Sequence, residues 1–210
     1  SQLKYSKGEK EAAWTALREA RNQLLRCGQG ESLAVVDACE VMLRIREQDI
    51  RHVRRWLRTA EIRLFPAVPH DRMFEAFALL RAYLYTGSAA EALALGEHLL
   101  HAALLTSNPK DLIEVRLLLA HLYRKQGNVQ GALDKLDEAL AEAHAQGYVQ
   151  MILDEGAALA ELLAESRKRS RQRGDSTLAQ FASRLLKRMP DAEKSHAASV
   201  PLASALTRQE

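Results

Sequence analysis

Three groups of side chains in this sequence are of types and spacings that could do chemistry. His98 and His101 are three residues apart, and Glu97 stands four before His101, so a helix would bring them to one side, where imidazole and carboxylate can hold a metal. No third ligand of suitable spacing accompanies them and the His-Glu-x-x-His order is absent, so structural histidines are the expectation. Arg51, Arg54, Arg55 and Arg58 fall on one helical face and have the charge to meet phosphate. Glu47, Asp49 and Glu61 lie near enough to offset them, which favours a solvated face or an inter-domain contact. The stretch from Ser166 to Asp175, SRKRSRQRGD, is dense in basic residues between two helical patterns and reads as an exposed loop, one able to touch DNA. Glu114 and Asp154 could be paired on paper as acid and base. Nothing supplies a nucleophile elbow beside them, and no enzyme is expected.

The elements that would carry these groups are helical. Ala, Leu, Arg and Glu dominate the 210 residues, aromatics are only 5%, and five prolines and ten glycines interrupt the chain. Thirty basic residues against 27 acidic leave a charge of +3, too small a field to recruit nucleic acid or an anionic membrane by itself. Cys27 and Cys39 are too few for a disulfide framework and lack CxxC spacing, so reduced thiols and a cytoplasmic setting are expected. No apolar run approaches the roughly 18 residues of a membrane span, and no membrane partner is expected. Helical periodicity broken at CGQGE, FPAVP, YTGS, TSNP, QGN and AQGY predicts a succession of helical hairpins.

The breaks have a period. Gly87 and Gly127 are forty residues apart, Gly8 stands about two such steps upstream, and the missing turn between is expected near Gln48 and Asp49. Five residues after each turn come Ala13, Val53, Ala92 and Ala132; twelve after come Ala20, Ala60, Leu99 and Ala139. A tight antiparallel helix pair needs a left-handed residue in its turn and small side chains where the backbones approach. One pair cannot bury its apolar face alone, so pairs stack.

The unit from Ile113 to Gln146, with Leu119, Tyr123, Gly127, Ala132, Leu136 and Ala139, resembles a tetratricopeptide repeat (TPR), with Ala120 where glycine and Arg116 where tryptophan are usual. Its longer period resembles the repeat domain of MalT-like, LuxR-family bacterial transcription regulators. GYVQMILDEGAALAELL, Gly147 to Leu163, is similar to the segment that closes the array in that family, and LTRQE, Leu206 to Glu210, to the opening of its helix-turn-helix. The resemblance implies an all-α, right-handed superhelix of antiparallel pairs over 1–189, about four pairs plus a closing pair. A linker over 190–205 and the start of a helix-turn-helix over 206–210 would follow. The truncated first helix at YSKGEKEAAWTALREA suggests a piece of something longer. The family places an ATP-binding module upstream and a DNA-binding module downstream. ATP is therefore expected only in the missing N-terminal module, and DNA only through the missing C-terminal one. No GxxxxGK[ST] occurs here, GQGES being the nearest glycine pair.

In a helical-repeat superhelix the first helix of each pair lines the concave wall, so residues one period apart form columns along it. The columns are Phe74, Glu114 and Asp154; Phe77, Leu117 and Ala157; Arg81, His121 and Glu161; and Leu84, Arg124 and Ala164. The candidate ligand-binding residues are Phe74, Phe77, Arg81, Glu114, Leu117, His121, Arg124, Asp154 and Glu161. Aromatics beside placed charges suit a small-molecule inducer or a regulatory protein. The competing expectation is a general scaffold for a protein or peptide segment, with the two phenylalanines in the core and the charges paired among themselves.

Overall fold

The computed structural model describes residues 10–29, 32–64 and 72–189, and among these it contains ten helices and no strand. They are α1 (Lys10–Arg26), α2 (Leu33–Arg46), α3 (Ile50–Leu64), α4 (Met73–Thr86), α5 (Ala89–Thr106), α6 (Pro109–Lys125), α7 (Val129–Gln146), α8 (Val149–Asp154), α9 (Ala157–Gln172) and α10 (Ser176–Arg188). The architecture is all-α and of the TPR-like helical-repeat kind. Gly8, the break at 65–69, the linker expected over 190–205 and the helix-turn-helix start over 206–210 lie outside the described residues.

Helix ends explain the regularity. Gly87 adopts φ 84° and lets two successive amides, its own and that of Ser88, donate to the Tyr83 carbonyl at 3.0 Å each, which closes α4. Ser107, Gly127 and Gly147 take the same left-handed conformation at twenty-residue steps beyond it. The turn expected near residue 48 is present, and Gln48 makes it at φ 60°. A side chain there costs about 1–2 kcal/mol relative to glycine. Restart signals are equally local: Asn108 accepts from the Lys110 amide at 3.1 Å ahead of Pro109, the first residue of α6, which needs no donor there. Asn128 accepts from Gly131 at 2.9 Å to begin α7.

Close approach is visible in the burial of the small residues. Ala13, Val53, Ala92 and Ala132 are all 0% exposed, the last three each five residues after a turn, and Leu99 and Ala139 are equally enclosed. Ala60 is buried and Ala20 half-buried.

The chain divides into two compact units, Ser1–Asp111 and Leu112–Glu210. In the first, α2 packs on α1, α3 and α4, and α4 also contacts α3 and α5. Trp14 of α1 donates its indole N–H to Glu47 at 3.0 Å while the Arg44 guanidinium lies 4.4 Å over its ring. In the second, α7 contacts α8, α9 and α10, and Leu117, Leu136, Leu140, Leu163, Phe181 and Leu185 share one core. Each such side chain contributes about 1.5–3 kcal/mol through burial.

One expectation is corrected. The basic stretch Ser166–Asp175 is not a loop between helices, because α9 continues through Gln172 and only its end turns. Leu159, Leu162 and Leu163 are followed at helical spacing by Ser166 and Ser170, 0% and 2% exposed, so two serines extend the buried stripe. Charged neighbours hid that stripe.

Candidate functional site

The second unit brings two groups of charged side chains together. On α6, His121 and Arg124 stand three residues apart on one face. The His121 Nε2 lies 3.2 Å from Glu155 Oε2, and both side chains are largely enclosed, at 19% and 11% exposure. Arg124 reaches Glu165 at 3.1 Å and the far more exposed Glu161 at 3.7 Å. A face of one repeat is thus ion-paired to the element that follows it.

Glu155 holds its place because the helix is broken beside it. Gly156 adopts φ 66° and ψ −152°, a conformation open essentially to glycine alone, and ends the short α8 before α9 begins. The forty-residue columns set Glu161 in line with His121; the structure pairs His121 with Glu155, just before the break, and Glu161 with Arg124. Glu155 and Glu165 were not among the expected site residues. The DEG motif at 154–156 was their signal, since a glycine inside an apolar helical pattern marks a backbone irregularity.

The other expected residues are placed as follows. Leu117 is 1% exposed within the second unit's core, so a ligand-lining role is replaced by a packing one. Phe77, in the first unit, is 3% exposed and likewise enclosed. Phe74 is 40% exposed on α4, and Arg81 and Glu114 are half-buried with partners of their own. Asp154 is exposed and accepts from Gln150 at 2.7 Å. His98 and His101 are exposed, and no group of three metal-binding side chains exists among the described residues.

The second charged group surrounds an open cleft of about 570 Å³ lined by Tyr123, Asn128, Asp134, Lys135, Asp137 and Arg173 among others. Arg169 bonds Asp134 and lies 3.5 Å from Asp137, which also accepts from the Ser166 hydroxyl. Two neighbouring carboxyls are thereby driven apart. The hydrogen bond from Arg169 holds Asp134 below the ordinary carboxylate value, whereas burial pushes Asp137 above it despite Ser166 and Arg169. Lys135 and Arg116 both engage Glu138, at 3.0 and 3.2 Å.

Compared with known proteins, the chain matches the MalT-like TPR region over residues 1–169. It belongs to that family. No curated protein and no solved structure matches it. In this MalT-like TPR region the break at Gly156 falls inside the matched residues. Chemically the α6 face can exchange partners: Arg124 and Glu165 are each more than a third exposed, so their ion pair contributes little to stability and another anion can compete for the guanidinium. No helix among the described residues is long and apolar enough to cross a membrane.

Proposed function

We propose that this MalT-like TPR region is the sensing and interaction domain of a LuxR-family, ATP-dependent transcriptional regulator. Its ligand engages the face formed by His121 and Arg124. The observation that supports this reading is the exchangeable pairing of Arg124 with Glu161 and Glu165 across a repeat junction. A ligand carboxylate or phosphate would displace those glutamates, and the form that binds better would gain population, allowing the rest of the regulator to oligomerise. ATP would be bound by the upstream module and the operator by the downstream one.

Thermal shift against anionic metabolites tests it, because a ligand at a hundred times its Kd adds about 2.7 kcal/mol to the native state. Arg124→Ala and His121→Ala should abolish the shift while leaving the unliganded transition in place. Unchanged shifts in both variants would remove the ligand from this face. A second reading is supported by the burial of Leu117, which leaves the charged face of α6 with few apolar contacts, as suits a peptide better than a small inducer. If no metabolite shifts the domain and a partner protein does, the scaffold reading replaces the sensor.

A further inference from the structure

Helix α3 turns one face outward that no described element of its unit covers. Val53, Leu57 and Ala60 point inward, at 0%, 8% and 6% exposure, and Trp56 is half-buried. The outward positions are Arg51, Arg54, Arg55 and Arg58, all exposed, with Thr59 beside them. Seven residues of helix separate the first arginine from the last, about 10 Å along the axis.

These arginines differ from others in the same unit. Arg21 pairs with Asp37 and Glu40 at 2.9 Å each, Arg44 contacts Glu40 and Asp49 at 3.5 Å, and Arg72 bonds Glu75. None of the four on α3 has a hydrogen-bond or ion-pair partner among the described residues. Two of the three carboxylates expected to offset them are committed elsewhere: Glu47 accepts from Trp14, and Asp49 accepts from the His52 amide and faces Arg44. The Glu61 side chain lies outside the described ones.

Among the described residues nothing neutralises this row of guanidinium groups, and a bound anion would relieve their mutual repulsion. Its composition narrows the class. The exposed large apolar residues of the described chain are Leu25, Val35, Phe74, Leu104, Leu105 and Val129, none of them on α3. A protein interface of any strength needs an apolar centre, and a helix lying in a bilayer surface needs an apolar face. A phosphate backbone needs neither, being bound through charge and bidentate guanidinium contacts, with successive phosphates to match successive arginines.

We propose that the exposed face of α3 binds the phosphate backbone of double-stranded DNA without sequence preference, through Arg51, Arg54, Arg55 and Arg58. This contact is separate from the α6 face and from any DNA-binding module. It would add a second route to DNA beside the expected downstream module, and it stands or falls independently of the sensing role.

The test is fluorescence anisotropy of a labelled 20-base-pair duplex of arbitrary sequence, titrated with the full chain at several salt concentrations. Four phosphate contacts give a slope of about −3.6 in log K against log salt, so affinity should fall roughly 150-fold between 50 and 200 mM. The R51Q/R54Q/R55Q/R58Q variant should lose at least tenfold in affinity at 50 mM and most of the slope, with unchanged far-UV circular dichroism. If that variant proves unfolded, the R54Q/R58Q pair should halve the slope. A comparison variant, R171Q/R188Q, altering exposed arginines of the second unit, should bind as the parent does. The proposal is overturned if the parent leaves the duplex unbound at 50 mM salt, or if the α3 variant binds undiminished. It is equally overturned if poly-glutamate of matched charge binds more tightly than DNA, which would assign the face to an acidic protein segment.

Discussion

Replacing Gly156 by alanine isolates the backbone term that separates α8 from α9. At φ 66° and ψ −152° an L-residue pays conformational strain, and a Cβ built there meets no atom within 4 Å, so crowding adds nothing. Residues held in this region cost about 1–3 kcal/mol. Gly147 supplies the internal standard: it is also unobstructed, but its φ 77° and ψ 16° lie in the ordinary left-handed basin, where alanine costs about 1 kcal/mol. Urea unfolding followed by circular dichroism at 222 nm reads both. With a denaturant slope of about 2 kcal/mol per molar, Gly156→Ala should lower the midpoint by about 1 M and Gly147→Ala by about 0.5 M. A Gly156→Ala midpoint within about 0.2 M of the parent, about 0.4 kcal/mol on that slope, would refute the strain argument. So would a loss no larger than that of Gly147→Ala, because the helix break would then have some origin other than a glycine-only backbone.

Two further substitutions test the turns and the buried carboxyl. Gln48→Gly places glycine where a left-handed residue is already required, and should raise stability by about 0.5–1 kcal/mol in the same urea assay; a loss would mean the glutamine side chain contributes more than its backbone strain costs. For Asp137 the folded value lies above its ordinary 3.8, so the native state holds the proton more tightly than the unfolded chain does. Its contribution is fully present below 3.8 and is lost as pH rises through the raised value, whereas that of Asp134 is present above 3.8 and lost on further acidification. Asp137→Asn, which keeps an acceptor for Ser166, should therefore flatten the decline in stability from pH 4 towards neutrality. An unchanged pH profile in urea titrations would show that burial does not govern this carboxyl.

How much of this was legible in the residues depends on whether a feature is local. Gly87 and Gly127 announced their turns by residue type, and the turn at Gln48 was found from position alone, since the period demanded it where no glycine stood. Ser107 escaped notice as a left-handed residue because serine does not advertise that conformation. The small residues at Ala13, Val53, Ala92 and Ala132 were readable because close approach excludes anything larger from a helix crossing. Two features depended on partners in other helices. The forty-residue columns set Glu161 in line with His121, and spacing alone could not show that Glu155, just before the break at Gly156, stands 3.2 Å from that imidazole. Reading the basic stretch after Ser166 as a loop weighed charge above periodicity, and missed that serines can occupy a buried stripe when Asp137 waits to accept from one of them. Side chains whose meaning depends on a partner in another helix leave no trace in their own neighbourhood.

The placement of the tryptophans has an optical consequence. The sequence contains only Trp14 and Trp56, and both lie in the unit that ends at Asp111. Ultraviolet emission excited at the red edge of indole absorption therefore watches that unit alone, and leaves the half bearing His121 and Arg124 dark. Trp14, with a guanidinium over its ring and a carboxylate on its nitrogen, should change colour as soon as α1 and α2 separate. Set against circular dichroism, which sees every helix, the same cuvette reports whether the two halves of the chain melt as one body or in turn.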